Sequence, residues 1–310
     1  MTHALYSHHL SANAAKSLNQ MTDDELWTWW LSLDDEWRFL LLRQGLELKL
    51  WKNNKRVFDE KYDYQAEFDW LDKSLVFECV KEIVSLTKLN LERNQIQDIS
   101  ALVGLTNLTE LYLWGNQIRD ILALKSLISL TELDLSYNQI QNILPLANLT
   151  ELDLLENQIQ DISVLAKLTN LNVLNLESNQ IQDISALNNL TDLNIIDLRN
   201  NQIQDILFLE NLTNLTSLDL GDNKINNISA LKNLTNLTWL DIWGNQIQDI
   251  SALASLTNLT VLGLESNQIQ DIAILANLKN LSKIYLTNNP IDPADIEKLR
   301  QQLPNCDIVF

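Results

Sequence analysis

The 310-residue sequence has few of the residue types that most catalytic sites require. All three histidines, His3, His8 and His9, precede residue 10, which excludes a Ser-His-Asp arrangement, a Cys-His pair or a histidine-containing zinc site from the rest of the chain. The six glycines are scattered, and no phosphate-binding or dinucleotide-binding loop can be assembled from them. We therefore expect a protein that is not an enzyme and has no catalytic, cofactor-binding or metal-binding residues.

Cysteine and long apolar runs are also scarce. Cys79 and Cys306 are the only cysteines, and a repeat array of ten parallel strands would separate them by about 43 Å, too far for a disulfide. We expect both as buried thiols.

No segment approaches the roughly 18 apolar residues of a membrane span. The N-terminus does not resemble a secretion signal, so a cytoplasmic location is expected.

Positive charge is the third deficit, with 22 basic residues against 41 acidic ones and a net charge of −19. Such a surface repels nucleic acids and anionic membranes. The composition therefore favours a partner that is a protein or peptide with a basic patch.

A repeat occupies most of the remaining sequence, as in LTELYLWGNQIRDILALKSLIS and LTWLDIWGNQIQDISALASLTN. It is marked by asparagines spaced 22 residues apart, except for one interval of 19: Asn94, Asn116, Asn138, Asn157, Asn179, Asn201, Asn223, Asn245, Asn267 and Asn289. The L-x-L segment predicts a strand with both leucines inward, and the asparagine predicts a turn. The recurrent aspartates are expected to cap a short helical turn: Asp98, Asp120, Asp161, Asp183, Asp205, Asp249 and Asp271.

This unit resembles the 22-residue class of leucine-rich repeats, found in internalins and in phosphatase-regulating proteins. The closing NPIDPADIEKLRQQLPNCDIVF resembles the C-terminal cap of bacterial cytosolic members. The resemblance implies an α/β leucine-rich-repeat solenoid. Its parallel sheet would form the concave face, 3-10 or irregular segments the convex side, and an α-helical segment the N-terminal cap.

The sequence predicts four regions. Residues 1–20 are expected to be a flexible tail. Residues 21–82 are expected to be a helical cap or module, with a Thr22–Glu25 capping box, a second helix over 34–44 ended by Gly45, and a third within 57–82. Residues 83–289 hold ten repeats, and the short one, with Pro145, predicts a local bend. Residues 290–310 form a C-terminal cap with a helix over 295–303, ended by Pro304.

The middle residue of each L-x-L segment should point outward, and acidic residues recur there. Asp197, Asp219 and Asp241 are expected to lie about 5 Å apart on one exposed row, at a repulsion of roughly 0.8 kcal/mol per neighbouring pair in water. That cost is small enough for repeat duplication and drift alone to have left the aspartates there. The row is also what a face built for a basic ligand would show, and the sequence leaves both interpretations open.

Aromatic side chains share the same outward face. Trp239, Asp241 and Trp243 alternate along one strand, as do Tyr112 and Trp114 on an earlier one. Large aromatics are enriched at binding hot spots. The predicted partner-binding residues are Tyr112, Trp114, Asp134, Tyr137, Asp153, Asp197, Arg199, Asp219, Trp239, Asp241, Trp243 and Tyr285.

Three functions remain open from the sequence. The first is a non-enzymatic scaffold that binds a partner on an acidic, aromatic-bearing concave face. The second is a regulatory subunit that binds and controls an enzyme such as a phosphatase. The third is an internalin-like adhesin or secreted effector. The sequence does not decide the oligomeric state.

Overall fold

The computed structural model describes residues 17–34, 36–42, 73–143, 146 and 148–310. These residues belong to two compact units, Met1–Thr131 and Glu132–Phe310. The predicted N-terminal histidine-bearing segment, Gly45 and Pro145 lie outside the described residues.

The described part of the first unit begins with helices. A 3-10 helix spans Leu18–Gln20, α1 spans Asp23–Ser32, α2 includes residues 36–42, and α3 spans Lys73–Val84. The capping box predicted for α1 is confirmed, because Thr22 and Glu25 exchange both hydrogen bonds. α3 ends two residues beyond the predicted boundary at residue 82.

Two contacts join these helices to the first repeat of the same unit. The indole nitrogen of Trp37 donates a hydrogen bond to the carbonyl of Asp98 at 3.1 Å. The backbone N–H of Leu18 donates to the carbonyl of Gly104, also at 3.1 Å, and the Leu18 side chain is buried. Leu18–Gln20, at the end of the predicted flexible tail, thus form a 3-10 helix that contacts the repeat, and residues 1–16 of that prediction lie outside the described residues.

The repeats of the first unit contribute two strands, β1 at Lys88–Asn90 and β2 at Glu110–Tyr112. They pair in parallel with a 22-residue offset, so that Leu89 lies beside Leu111. Short 3-10 helices follow at Ser100–Leu102 and Leu122–Ser126.

Among its described residues the second unit has nine parallel strands, each paired with the next along the chain. They are β3 Glu132–Asp134, β4 Glu151–Asp153, β5 Val173–Asn175, β6 Ile195–Asp197, β7 Ser217–Asp219, β8 Trp239–Asp241, β9 Val261–Gly263, β10 Lys283–Tyr285 and β11 Asp307–Val309. Between them lie 3-10 helices at Ser163–Lys167, Ser185–Leu187, Leu207–Leu209, Ser229–Asn233, Ser251–Ser255 and Ala273–Asn277.

The alternation of each strand builds the core as predicted. On β5, Leu174 and the following Leu176 are fully buried, whereas Asn175 between them is half-buried on the opposite side of the strand. One repeat cannot cover its own leucines, and the neighbouring repeats in the stack complete their burial.

The repeat asparagines join successive turns. Asn201 accepts a hydrogen bond from the backbone N–H of Ile181 at 3.0 Å through its side-chain oxygen. Its amide nitrogen donates to the carbonyls of Leu176 and Leu198 at 2.9 and 3.1 Å. Because Asn201 is buried, these bonds satisfy backbone groups that water does not reach. The predicted turn role of the asparagines is thus confirmed.

The repeat aspartates cap the 3-10 helices as predicted. Asp183 accepts the backbone N–H of Ser185, the first residue of its 3-10 helix, at 2.8 Å. The same bond is made by Asp98, Asp120, Asp161, Asp205, Asp249 and Asp271.

The C-terminal segment differs from its prediction in three ways. The helix, α4, spans Pro293–Gln302, two residues earlier than predicted, because Asp292 caps it and Pro293 is suited to its first position. Strand β11 was not predicted, and Ile296 and Leu299 of α4 are buried. Cys306 is half-exposed rather than buried because it lies in the turn before β11.

Two further expectations concern the membrane and the cysteines. None of the helices in the described part of the chain is long and apolar enough to cross a membrane. Cys79 is buried, as predicted, and both cysteines are free thiols.

Candidate protein-binding face

The outward side chains of the second unit form a surface that we call the strand face, and it consists of three rows. The first row holds the first residue of each strand: Glu132, Glu151, Val173, Ile195, Ser217, Trp239, Val261 and Lys283. The middle row holds the last strand residue: Asp134, Asp153, Asn175, Asp197, Asp219, Asp241, Gly263 and Tyr285. The third row holds the residue two positions further on, including Glu177, Arg199, Gly221, Trp243 and Glu265.

The acidic residues of the middle row lie directly beside one another. Asp219 is in register with Asp197 on one side and Asp241 on the other, and Asp134 is in register with Asp153. Adjacent parallel strands lie about 4.8 Å apart, so the carboxylates are neighbours. This arrangement confirms the predicted stacking of Asp197, Asp219 and Asp241.

Each acidic residue of the middle row also closes a turn, a role that the sequence analysis missed. Asp219 accepts the backbone N–H of Gly221 at 2.9 Å. The same bond to the residue two positions on is made by Asp134, Asp153, Asn175, Asp197 and Asp241, and in the first unit by Asn90. The alternation of Asp and Asn at one repeat position was the available signal, because both residue types form this turn.

The predicted exposure of the row is wrong at Asp219, of which only 4% is exposed. Burial raises the pKa of Asp219 to about 7, and the charges of Asp197 and Asp241 raise it further, against the hydrogen bond from Gly221 and the charge of Arg199. Burial likewise raises the pKa of Asp153 and of Asp241 to about 6. The pKa values of Asp153, Asp219 and Asp241 therefore lie closer to neutral pH than that of an ordinary aspartate.

Two glycines give their neighbours room on the strand face. A β-carbon on Gly221 would lie 2.2 Å from the indole nitrogen of Trp243, so the indole rests against the glycine backbone. A β-carbon on Gly263 would lie 2.3 Å from a carboxylate oxygen of Asp241. At both positions the neighbouring side chain needs the space that a β-carbon would occupy, and backbone flexibility is not the reason for the glycine.

Arg199 is engaged by its own chain. Its guanidinium pairs at 2.5 Å with Glu177, which lies two residues after β5, and lies 3.9 Å from the carboxylate of Asp197. Its Nε is buried and has no hydrogen-bond partner among the described residues. Arg199 therefore offsets part of the negative charge of the middle row.

The predicted aromatic residues of the second unit occupy different environments. Trp239 and Trp243 are half-buried on the strand face. The amine of Lys283 lies 4.8 Å from the ring centre of Tyr285. Tyr137 lies in the turn after β3, with a φ of 53°, and is 45% exposed; it therefore does not belong to a strand row.

Tyr112 and Trp114 belong to the first unit and stack with cations of their own chain. The amine of Lys88 lies 4.6 Å from the Tyr112 ring centre and also pairs with Glu110 at 2.7 Å. The guanidinium of Arg93 lies 4.0 Å from the ring centre of Trp114. Each of these two rings therefore already has a cation of its own chain stacked on it.

The arrangement suits non-covalent binding. Within the described residues no group of histidine, cysteine, aspartate or glutamate side chains could hold a metal ion. The strand face offers acidic groups beside two half-buried indoles, a combination that can bind a cationic and partly apolar surface.

Comparison with known proteins identifies the repeat. The family model for leucine-rich repeats in two copies matches residues 84–126, 128–167, 147–189, 169–211, 191–233, 213–255, 235–277 and 257–301. The chain belongs to the leucine-rich-repeat family. No curated protein sequence matches this chain.

Solved structures of leucine-rich-repeat proteins resemble the chain. An internalin (inlF) from Listeria monocytogenes is 36% identical over 74% of this chain and 69% of its own, with a TM-score of 0.69. A leucine-rich-repeat protein from Leptospira interrogans is 25% identical over 75% of this chain and 74% of its own, with a TM-score of 0.59. The predicted internalin-like leucine-rich-repeat fold is thereby confirmed.

A third similar structure contains a bound partner. It is the leucine-rich-repeat ectodomain of the plant membrane receptor kinase GASSHO1/SCHENGEN3 from Arabidopsis thaliana, in complex with CASPARIAN STRIP INTEGRITY FACTOR 2. It is 27% identical over 67% of this chain and 27% of its own, with a TM-score of 0.60. Proteins of this family are in general interaction proteins.

Proposed function

We propose that this leucine-rich-repeat protein is a non-enzymatic scaffold that binds a basic segment of a partner protein on the strand face of its second unit. The observation that carries the proposal is the charge of the middle row. Asn175 closes its turn with the same hydrogen bond as Asp197 and Asp219, so the fold needs an acceptor there and not a carboxylate.

The charge has a cost to the folded state. Burial raises the pKa of Asp153, Asp219 and Asp241, which means that their ionised forms are less stable in the folded protein than in water. An asparagine would avoid this cost while keeping the turn. Carboxylates at these positions therefore suit a ligand that carries positive charge, which favours the ligand interpretation of the row over drift.

The two indoles define the centre of the proposed surface. Trp239 and Trp243 flank Asp241 on β8 and the turn after it, and both remain half-buried in the free protein. An aromatic side chain next to a carboxylate can bind a lysine or arginine through its ring face and its charge together. The similar plant receptor ectodomain is in complex with CASPARIAN STRIP INTEGRITY FACTOR 2, which is consistent with a partner bound by a leucine-rich-repeat surface.

Pull-down of partners from a lysate of the source organism tests the proposal, with the wild type beside a Trp239→Ala/Trp243→Ala double variant. The proposal predicts a protein that the wild type retains and the folded double variant loses. Leu207→Ser is the matched control, because Leu207 is exposed on a 3-10 helix and serine occupies the equivalent position at Ser185 and Ser229. A partner held equally by all three proteins would contradict the strand face as the binding site.

A cytoplasmic location stays a prediction, and it suits the free, half-exposed thiol of Cys306. Control of a bound enzyme would be one use of such a scaffold, and recovery of an enzyme as the retained partner would favour it.

A further inference from the structure

Asp219 differs from its neighbours in the middle row. It is the buried carboxylate of this row, whereas Asp197 and Asp241, in register on either side, are half-buried. It is also the row residue followed two positions later by a glycine, Gly221, against which the indole of Trp243 lies. The burial of Asp219 therefore coincides with the placement of one side chain from the next repeat.

We propose that Trp243 is a movable cover on the strand face, closed over Asp219 while this carboxyl carries a proton and opened when the proton is lost. Its consequence for partner binding rests on the function proposed above, whereas the movement itself does not.

The charges around Asp219 favour opening after ionisation. Asp197 on β6 and Asp241 on β8 face Asp219 directly and repel its negative charge. Arg199 attracts it, but its guanidinium is already paired with Glu177. Glu265, beyond β9, adds negative charge near Asp241. An ionised Asp219 therefore has little compensation except from water, and in the proposed closed state the indole at Gly221 limits the access of water.

The contact between the Trp243 indole and Gly221 is a packing contact that can be broken. The indole lies against the bare backbone of Gly221 and makes no covalent or charged link there. Re-exposing part of an indole to water costs less free energy than keeping an unpaired charge away from water. Hydration of the ionised carboxylate can therefore exceed the packing that is lost.

The pKa of Asp219, raised to about 7 by burial, places this change near neutral pH. Below that pH the face would be closed and less negative. Above it, the face would present Asp219 beside Asp241 with the indole free to stack on an incoming cation. The partner would thus meet a binding-competent face mainly in neutral or alkaline surroundings.

Fluorine NMR of the full chain labelled with 5-fluorotryptophan tests the cover directly. The solvent isotope shift of the Trp243 resonance, assigned by its loss in Trp243→Phe, reports the exposure of that ring to water. We expect the shift to increase from about pH 5 to about pH 8.5, with a midpoint near the Asp219 titration.

Two variants separate the cover from a general pH response. Asp219→Asn should keep the isotope shift low at every pH, because the amide closes the turn without a charge. Gly221→Ala should give the high shift even at acid pH, because its β-carbon occupies the place of the indole. Asp134→Asn, at the end of the row, should leave the transition unchanged.

An unchanged isotope shift in the wild type, or the same transition in Asp219→Asn, would overturn the proposal. If Gly221→Ala fails to fold, the pair of wild type and Asp219→Asn still decides. Because these spectra need no partner, a failure here leaves the proposed scaffold function standing, and loss of that function would leave the cover intact.

Discussion

Asn175 and Asp197 lie in register on adjacent strands and perform the same task. The side-chain oxygen of Asn175 accepts the backbone N–H of Glu177 at 3.0 Å, and that of Asp197 accepts the N–H of Arg199 at 2.9 Å. The equivalence separates two properties of the middle row, a hydrogen-bond acceptor that the turn needs and a negative charge that it does not need.

Replacing the charge at Asp219 should stabilise the protein. In Asp219→Asn the acceptor for Gly221 remains while the cost of ionising a buried group disappears, and we expect a gain on the order of 2 kcal/mol at pH 8. The folded-state pKa is raised, so the cost is fully present above pH 7 and is lost as the pH falls through that value towards the ordinary range. Urea unfolding at pH 8 and pH 5 measures it.

The control for this variant is Asp219→Ala, which also removes the acceptor. It should be less stable than Asp219→Asn at both pH values, because the N–H of Gly221 then lacks its bond. A gain for asparagine that does not shrink at pH 5 would argue against ionisation as its cause.

The buried asparagines should be among the most important polar residues for stability. Asn201→Ala removes an acceptor for Ile181 and donors to Leu176 and Leu198 inside the core. We expect a loss of roughly 3 kcal/mol in the free energy of unfolding. The exposed Asn211 is the comparison, and Asn211→Ala should change the unfolding midpoint little. Equal losses for the two variants would refute the role of Asn201.

Tyr137 has an unfavourable backbone conformation for its type. Its φ is 53°, at a turn position that Asn200 and Asn288 occupy in other repeats and glycine occupies at Gly115 and Gly244. Asparagine adopts this region more readily, so Tyr137→Asn should stabilise the chain by about 0.5–1 kcal/mol. Thermal unfolding measures the change, and a destabilised variant would show that contacts of the tyrosine ring outweigh the backbone cost.

Arg199 should tune the titration of the middle row. Its charge lowers the pKa of Asp197, Asp219 and Asp241, so Arg199→Met should raise the pKa of all three. Carbon-detected NMR of the aspartate carboxyl groups follows each titration. An unshifted Asp219 would contradict the proposed electrostatic coupling.

The sequence predicted the repeat architecture because its information is local and repeated. The L-x-L alternation, the turn asparagines such as Asn201 and the capping aspartates such as Asp183 each act within one repeat or on the next. The register of Asp197 beside Asp219 followed from the 22-residue spacing alone.

The environment of the candidate site could not be predicted in this way. Asp219 is buried and the indole of Trp243 lies against Gly221, and both are properties of one pair of repeats rather than of the consensus. The pairing of Arg199 with Glu177 likewise depends on which side chains occupy one row in successive repeats. Strand β11 was missed because its sequence departs from the repeat.

We propose that the charge of the middle row serves binding and not folding. Once a partner is recovered, titration calorimetry with wild type and Asp219→Asn/Asp241→Asn at pH 8 tests it most directly. Each lost charge-assisted contact is worth about 1.5–3 kcal/mol, so we expect the double variant to bind at least about tenfold more weakly while unfolding at a higher urea concentration. Unchanged affinity in a stabilised variant would contradict the account.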